Sequence, residues 1–280
     1  MSAVLQIQDL NVAFSQDGRQ VDAVRGVSFE VARGEVVALV GESGSGKSVT
    51  AMSSVALLGA NAKVTGSIRY NGQQMVGATA DLLQQVRGNE ISFIFQEPMT
   101  SLNPVLKIRT QMNEILMHHD GMSEEEATKK SIEMLHSVGI VDPELRINDY
   151  PHQFSGGMRQ RIMIAMSLQC NPALLIADEP TTALDVTIQA QILDLMMDLK
   201  DKRKDAAILL ITHDLAVIAE TCDRVIVMYG GVIQEIAPIG ELFKNPIHPY
   251  TKALMDSIPK MDLKAKRLKA LKGMVPSILE

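Results

Sequence analysis

The chain has 280 residues, enough for one large domain or two small ones with a substantial buried core. Its 46% hydrophobic and 21% charged residues are typical of a globular protein, and its longest apolar runs, Val36 to Val40 and Ala206 to Ile211, fall well short of the ~20 residues of a membrane helix. A net charge of −6, only 4% aromatic residues and no tryptophan argue against a nucleic-acid partner, because such proteins bind through basic contacts to phosphates and through stacking.

The N-terminal part is predicted to form strands. Met1 to Phe14 alternates apolar and polar residues and lacks the basic start and apolar middle of a secretory signal, so we expect no export. Val4 to Phe14 and Val27 to Val31 are predicted to be antiparallel strands. Val36 to Val40 is a continuous apolar run that ends at glycine, which is typical of a buried parallel strand. A helix is expected from Ser48 to about Leu58.

The segment from about Glu97 to Leu168 is predicted to be mostly helical. Strand-like runs disappear there, and Ser123 with Glu126 gives the Ser-x-x-Glu pattern of a capping box. Apolar residues then keep a helical spacing at Ile132, Leu135 and Val138. We therefore expect a helical insertion between two α/β regions.

Alternation of strands and helices returns after the insertion. Leu174 to Ala177 and Ala207 to Ile211 are predicted strands, and Thr187 to about Arg203 is a predicted helix between them. Asp214 is placed to cap a helix that runs to about Thr221.

The C-terminal part is predicted to begin with a hairpin. Val225 to Met228 and Val232 to Ile236 are joined through Gly230-Gly231, a favourable turn sequence. Two short helices punctuated by prolines are expected from about Gly240, followed by a basic segment from Lys260 to Lys272.

A phosphate-binding loop is indicated by Gly41-Glu42-Ser43-Gly44-Ser45-Gly46-Lys47-Ser48, which matches G-x-x-x-x-G-K-[ST]. The motif follows an apolar strand and precedes a helix, as it must for the backbone N–H groups and the helix dipole to converge on phosphates. Lys47 is expected to reach the β- and γ-phosphates, and Ser48 to ligate Mg²⁺.

Two carboxylates end a later strand. Asp178 and Glu179 follow Leu174 to Ala177, which would place both at the carboxyl edge of a parallel sheet, where ligands of open α/β sheets bind. With the phosphate loop upstream, we expect Asp178 to support Mg²⁺ and Glu179 to act as the general base for the attacking water.

Two further polar residues follow predicted strands. His213 is expected to share the sheet edge with Glu179 and to contact the γ-phosphate or hold the attacking water. Gln96 comes after Ile94-Phe95 and is expected to reach Mg²⁺ and to report the nucleotide state into the helical insertion.

A serine-glycine turn, Ser155-Gly156-Gly157-Met158 preceded by Phe154, falls between the phosphate loop and the acidic strand end. The three motifs in this order predict that ATP is clamped between two such domains. One domain offers the loop, and the other offers the turn.

These residues resemble the motifs of the ATP-binding-cassette (ABC) ATPases, the nucleotide-binding subunits of membrane transporters, and the resemblance covers nearly the whole chain. It implies the Walker A loop at Gly41 to Ser48, the Q-loop at Gln96, the signature at Phe154 to Met158, Walker B at Leu174 to Glu179, the D-loop at Ala183-Leu184-Asp185, and the switch histidine at His213.

Within that resemblance, the matches at Met158 and Phe14 are less specific than the motifs above. Met158 stands where the commonest signature has glutamine. We expect the change to be tolerated, because the N–H groups of Ser155, Gly156 and Gly157 are expected to hold the γ-phosphate. Phe14 resembles the aromatic residue that stacks on adenine, and the other interpretation is a core residue of the strand.

A finer resemblance points to the dipeptide/oligopeptide/nickel import branch. It is carried by residues 95–104, 150–153, 178–187 and 248–254. In that branch the chain usually continues past a Val-Pro-Ser stretch, like Val275-Pro276-Ser277, into a cysteine cluster that binds an iron–sulfur centre. This sequence ends at Glu280 without such cysteines, and we expect either a truncated chain or a short member of the branch. We therefore predict no iron–sulfur cluster from the resemblance.

The resemblance implies an ATPase that energises uptake of short peptides, with ATP and Mg²⁺ as cofactors. It implies three partners. The first is a membrane permease docked on the helical insertion, and the second is another ATPase subunit, usually a paralogue, in a head-to-tail dimer. The third, an extracytoplasmic binding protein, is an indirect partner. The implied location is the cytoplasmic face of the inner membrane, as a peripheral subunit. Import of nickel or a metal chelate by the same ATPase is the alternative.

Two other classes of function are disfavoured. Translation-type cassette ATPases carry two cassettes in one chain and repair-type members carry a long coiled coil, and this chain has neither. P-loop kinases and GTPases have no need for a Ser-Gly-Gly turn before the acidic strand and a histidine after it.

The predicted fold is α/β: a P-loop NTPase core with a mixed sheet, an N-terminal antiparallel β subdomain and a helical insertion. Residues 1–96 and 169–239 are expected to form the core with its β subdomain, 97–168 the helical signature subdomain, and 240–280 a C-terminal helical extension.

Overall fold

A computed structural model describes residues 2–16, 18–96, 101–181 and 186–257. It divides into two compact units, one formed by 1–78 with 209–280 and the other by 79–208. The strands are β1 (Ala3–Gln16), β2 (Arg19–Ala32), β3 (Val36–Val40), β4 (Ala62–Tyr70), β5 (Gln73–Gln74), β6 (Ile91–Ile94), β7 (Leu174–Asp178), β8 (Ala207–Ile211), β9 (Arg224–Tyr229) and β10 (Val232–Pro238). The predicted domain boundaries at residues 96, 168 and 239 stay predictions.

The α-helices of the described residues are α1 (Lys47–Ser54), α2 (Ala80–Val86), α3 (Ile108–His119), α4 (Glu124–Ser137), α5 (Pro143–Arg146), α6 (Gly156–Leu168), α7 (Val186–Lys202), α8 (Leu215–Thr221), α9 (Ile239–Lys244) and α10 (Pro249–Asp256). None of these helices is long and apolar enough to cross a membrane.

An antiparallel sheet in the first unit has the strand order β2-β1-β4-β5. β1 lies between β2 and β4 and buries Leu5, Ile7 and Leu10. The antiparallel N-terminal subdomain of the predicted fold is confirmed, although β2 is much longer than expected. β4 was not predicted, because only Ile68 and Tyr70 of its nine residues are buried and it therefore lacks a continuous apolar alternation.

A backbone irregularity interrupts the pairing of β1 with β4 between Gln8 and Asn11. Asp9 has a left-handed φ of 48°, and Gly66 opposite it has a φ of 97°. A Cβ added to Gly66 would lie 2.2 Å from the carbonyl oxygen of Asp9. Only glycine fits this close approach of two backbones.

A mixed sheet in the same unit has the strand order β10-β9-β3-β8. β3 is fully buried and parallel to β9, with Val40 opposite Val227, and β9 turns back antiparallel into β10. The predicted buried strand and hairpin are confirmed. Arg224, the first residue of β9, forms a bidentate ion pair with Glu35, with N···O distances of 2.7 and 3.0 Å.

Helix α1 ends four residues earlier than predicted. The expected end was about Leu58, but the last helical residue is Ser54. Ala56 has a left-handed φ of 51°, so the helix cannot continue through it.

The second unit combines parallel strands with the predicted helices. Its strands β6 and β7 are neighbours in a sheet, and β6 runs parallel to β7 with Ile94 opposite Ala177. The capping box of α4 is confirmed, because Ser123 accepts from the Glu126 N–H while the Glu126 carboxylate accepts from the Ser123 N–H. The helices pack on one apolar cluster: Leu102, Ile108, Met112, Leu135, Val138, Ile140, Ile147, Phe154, Ile162 and Ala165.

We predict that Gly66→Ala destabilises the protein more than Gly72→Ala does. Both glycines have positive φ, which costs an alanine roughly 1–2 kcal/mol, but a Cβ on Gly72 meets nothing within 4 Å. Gly66→Ala must also push the Asp9 backbone away, at an additional cost of about 1–3 kcal/mol. Urea unfolding followed by circular dichroism measures both free energies. Equal losses would contradict the close backbone approach.

Candidate functional site

The phosphate loop lies between β3 and α1 in the first unit, and three of its glycines have positive φ: 152° at Gly41, 78° at Gly44 and 93° at Gly46. A Cβ on Gly41 would lie 2.1 Å from the Met228 carbonyl oxygen. One on Gly46 would lie 2.7 Å from the Ala23 carbonyl oxygen. These glycines therefore let the loop pack directly on neighbouring backbone.

Lys47 is folded back onto its own loop. Its Nζ donates to the carbonyl oxygens of Gly41 and Glu42, both at 2.8 Å, and the side chain is buried. A buried ammonium needs hydrogen-bond acceptors, and these carbonyls supply them. Phosphate oxygens are stronger acceptors for the same donors when a nucleotide binds.

The β9–β10 turn supports the loop from behind. The N–H of Gly231 donates to the Ser45 carbonyl oxygen at 3.1 Å. Arg25 of β2 holds the turn in place, because its N–H donates to Gly231 O at 2.8 Å and its Nη2 to Gly230 O at 2.6 Å. Sequence reasoning assigned the glycine pair only to a hairpin. The second glycine of the turn, Gly231, was the signal that another backbone approaches there, because a Cβ on it would lie 2.7 Å from the Ala23 carbonyl oxygen.

Tyr250 of α10 also reaches the loop, and sequence reasoning missed this contact. Its hydroxyl oxygen accepts a hydrogen bond from the Glu42 N–H at 3.2 Å. Burial is the main cause that raises the pKa of Tyr250, so the phenol is neutral near pH 7. Nothing in the local sequence signals a contact across 208 residues.

Phe14 and Ser48 are both half-buried in the first unit. Phe14 pairs with Val21 of β2 and Ala62 of β4, two residues before β1 ends. Ser48 is the second residue of α1, directly after Lys47.

Gln96 and Glu179 are in contact in the second unit. Because Ile94 lies opposite Ala177, the residues two positions after each of them, Gln96 and Glu179, are neighbours. The Gln96 Nε2 donates to the Glu179 Oε2 at 2.9 Å. This hydrogen bond uses the nitrogen of the amide, so its oxygen can serve another ligand.

Glu179 has an unusual backbone conformation, with φ of 46°. Asp178 before it is the buried last residue of β7. The next residue is also held, because Gln160 of α6 donates its amide to the Pro180 carbonyl oxygen. A non-glycine residue in the left-handed region is a frequent feature of functional sites.

The serine-glycine turn begins α6. Ser155 is the N-cap, and its Oγ accepts from the Met158 N–H at 3.3 Å. Ser155 and Gly156 are exposed, and a Cβ added to Gly156 meets nothing within 4 Å. Met158 packs its side chain on the apolar cluster, which accounts for an apolar residue there. An exposed helix N-terminus favours an anion.

His213 is exposed and follows β8 in the first unit. Asp214 caps α8 as predicted, with its Oδ1 accepting from the N–H groups of Ala216 and Val217. Asp185, assigned to the D-loop, lies outside the described residues.

Three predicted metal ligands offer oxygen donors, namely the Ser48 hydroxyl, the Asp178 carboxylate and the Gln96 amide oxygen. No group of three or more His, Cys, Asp or Glu side chains that could hold a metal occurs among the described residues. Mg²⁺ needs no such group, since it is held through one or two carboxylates and completes its shell with other oxygen donors, water and phosphate oxygens. The donor set therefore fits Mg²⁺.

Comparison with known protein families finds two matches, which cover separate parts of the chain. A family described as "ABC transporter" matches residues 24–182. A second family, "Oligopeptide/dipeptide transporter, C-terminal region", matches residues 234–280.

Curated relatives match over nearly the whole chain. The oligopeptide transport ATP-binding protein AppD of Bacillus subtilis is 50% identical, with 99% of this chain and 85% of AppD covered. The dipeptide transport ATP-binding protein DppD of the same organism is 50% identical, with 99% and 83% covered. The oligopeptide transport ATP-binding protein OppD of Escherichia coli is 46% identical, with 99% and 82% covered.

Among solved structures, the dimeric post-hydrolysis state of the ATP-binding cassette MJ0796 with ADP and Pi superposes with a TM-score of 0.75 at 27% identity, covering 84% of this chain and 98% of that one. The structure of cbiO1 from Clostridium perfringens, part of the ABC transporter complex cbiONQ, gives a TM-score of 0.70 at 25% identity, covering 88% of this chain and 92% of that one. With these family matches and identities, the chain belongs to the ABC transporter family of ATPases, in its oligopeptide/dipeptide branch.

Proposed function

We propose that this chain is the ATP-hydrolysing subunit of an importer for short peptides. The observation that carries the peptide assignment is the match of residues 234–280 to the oligopeptide/dipeptide C-terminal region. The names of AppD, DppD and OppD support it, since these relatives are peptide transport proteins. The chain would act as a peripheral subunit at the cytoplasmic face of the membrane.

ATP would bind through residues of the first unit. Backbone N–H groups of Gly41 to Ser48 would surround the phosphates, Lys47 would exchange its two loop carbonyls for phosphate oxygens, and Phe14 would stack on adenine. Ser48, Asp178 and Gln96 would hold Mg²⁺, which neutralises charge on the phosphates when bound.

Hydrolysis would depend on Glu179 as the general base. Its hydrogen bond from Gln96 orients the carboxylate, and the left-handed backbone fixes the direction in which the side chain leaves β7. His213 would contact the γ-phosphate or hold the attacking water. Asp185 would approach the nucleotide from the D-loop.

A second ATPase subunit, most simply a paralogue, would complete the site. The exposed N-terminus of α6 can present the N–H groups of Ser155, Gly156 and Gly157 to the γ-phosphate of ATP on the partner. The dimeric structure of MJ0796 supports such an arrangement.

The permease would dock on α3 in the helical insertion. A cleft of about 500 Å³ lies along this helix and includes Arg109, Asn113, Met117 and Glu124. Met117 is an exposed apolar side chain there, with 44% of its surface accessible.

The substrate class is tested by reconstituting the chain with its permease, partner ATPase and binding protein in vesicles. ATP-dependent uptake of labelled di- to pentapeptides is expected, and no uptake of ⁶³Ni²⁺ or a nickel chelate. Nickel uptake without peptide uptake would establish the alternative importer. ATP turnover that no permease alters would establish a non-transport ATPase.

We predict that Glu179→Gln binds ATP but hydrolyses it at least ~10²-fold more slowly, because a positioned general base contributes at least that much. The amide keeps the size of the side chain and its access to Gln96. The variant should accumulate as an ATP-bound dimer on size-exclusion chromatography. Near-normal turnover in the assembled transporter would remove Glu179 from the role of base.

A second prediction separates the two halves of the composite site. Lys47→Ala should weaken ATP binding by the isolated chain about 10- to 100-fold, because hydrogen bonds to charged groups are lost in the same subunit. Ser155→Arg should leave binding by the isolated chain unchanged and abolish ATP-driven dimerisation. His152→Arg puts the same side chain on the exposed segment just before the turn and should do neither. Equal loss of ATP binding in Lys47→Ala and Ser155→Arg would contradict the shared site.

A third prediction concerns the docking cleft. Met117→Lys should weaken permease binding and peptide uptake while leaving ATP binding intact, because none of the residues that line the cleft belongs to the proposed ATP site. Val141→Lys is a matched control, since Val141 is 72% exposed in the same unit and does not line the cleft. Co-purification with the permease and vesicle uptake measure the effect. Equal losses in both variants would rule out the cleft as the docking surface.

A further inference from the structure

A hydrogen bond connects the C-terminal helix α10 with the phosphate loop. The Glu42 N–H donates to the Tyr250 hydroxyl oxygen at 3.2 Å, and both residues lie in the first unit. Glu42 falls in the range that matches the ABC transporter family, and Tyr250 in the range that matches the oligopeptide/dipeptide C-terminal region. The bond therefore joins the region typical of this branch to the general phosphate-binding motif.

The peptide unit between Gly41 and Glu42 is held at both of its polar groups. Its carbonyl, that of Gly41, accepts from Lys47 Nζ at 2.8 Å, and its N–H, that of Glu42, donates to Tyr250. In a planar trans peptide these two groups point in opposite directions, so Lys47 and Tyr250 hold the unit from opposite sides. When Lys47 moves to a phosphate, its hydrogen bond to the Gly41 carbonyl is lost. The hydrogen bond from the Glu42 N–H to Tyr250 then still holds the peptide unit.

Tyr250 is itself held in position by hydrogen bonds ahead of α10. The Glu235 carboxylate on β10 accepts from the N–H groups of Ile247 and His248, both at 2.9 Å. The His248 Nδ1 then accepts from the Tyr250 N–H at 3.2 Å. Although burial alone would raise the pKa of Glu235, its hydrogen bonds outweigh this and lower the pKa, so the anchor is ionised near neutral pH.

The aromatic ring is fixed as well. Tyr250 packs on Tyr229, the last residue of β9, with 4.7 Å between the ring centroids. Tyr229 directly precedes the Gly230-Gly231 turn that supports the loop through Ser45. The ring contact and the hydrogen bonds ahead of α10 therefore fix the position of the Tyr250 hydroxyl, which can restrain the loop.

We propose that Tyr250 is a positioning residue for ATP, which keeps the Gly41–Glu42 peptide in its orientation while Lys47 changes from loop carbonyls to phosphates. Tyr250 acts through the loop and contacts no phosphate. The proposal rests on the assignment of Gly41 to Ser48 as the ATP site. It makes the C-terminal region of this branch a contributor to nucleotide affinity.

Tyr250→Phe tests the role, because it removes the hydroxyl and keeps the ring. We expect the Kd of the full chain for ATP, and the KM for ATP of the assembled transporter, to rise about three- to tenfold, the effect of one lost hydrogen bond. The kcat at saturating ATP should not change, because Glu179 is untouched. Tyr229→Phe removes the same atom from the neighbouring ring and should alter neither constant. An unchanged Kd in Tyr250→Phe, or equal rises in both variants, would overturn the proposal.

A double-mutant cycle distinguishes positioning from general damage to the fold. Glu235→Ala releases the segment ahead of α10 and should raise the KM for ATP when Tyr250 is present. In the Tyr250→Phe background it should add nothing, since both changes act through one hydrogen bond. Additive increases would mean that Glu235 and Tyr250 act independently and would overturn the proposal.

Lys47→Ala serves as the reference in the same binding assay. If Lys47→Ala retains full ATP affinity, the ATP site itself is wrongly assigned. If Lys47→Ala loses affinity while Tyr250→Phe binds normally, the ATP site stands and only the role of Tyr250 is refuted.

Discussion

The close approach of the phosphate loop to the end of β9 is the constraint on which the rest of the site depends. β3 and β9 are parallel neighbours, with Val40 opposite Val227, so the chain that leaves β3 starts beside the chain that leaves β9. Gly41 meets this constraint directly, because a Cβ there would lie 2.1 Å from the Met228 carbonyl oxygen. The turn that follows β9 then supports the loop through Gly231 and Ser45, and Tyr229 carries the ring of Tyr250. Strand pairing therefore determines which residues can touch the loop.

Glycines allow the close backbone approach at the phosphate loop, whereas at Glu179 a non-glycine residue has a strained backbone. A non-glycine residue in the left-handed region costs of order 1–3 kcal/mol and persists only where its neighbours hold it. Three restraints do so here: burial of β7, the hydrogen bond from Gln96, and the hydrogen bond from Gln160 to the following residue. Gln160 lies on α6, which begins at the serine-glycine turn. The strain and the signature helix thus belong to one connected arrangement in the second unit.

The sequence predicted those features that depend on local pattern. β3 was recognisable because all five of its residues are apolar, and the α4 capping box because its two side chains lie three residues apart. The contact of Gln96 with Glu179 follows from strand ends, but its geometry depends on the β6–β7 register, which no local pattern specifies. The early end of α1 was not predictable, since alanine gives no sign that Ala56 adopts a left-handed conformation. Tyr250 was missed because its role arises only from tertiary packing.

The arrangement of Lys47 has a consequence for selectivity among anions. Its ammonium already makes two hydrogen bonds of 2.8 Å to loop carbonyls, so binding a phosphate is an exchange of acceptors, with little gain from relieving a buried charge. A small anion such as sulfate or inorganic phosphate offers little beyond that exchange. A nucleoside triphosphate also brings a base, a sugar and further phosphate oxygens, whose contacts add to the same event. Because the exchange at Lys47 is common to all of these anions, the additional contacts are what favour the nucleoside triphosphate.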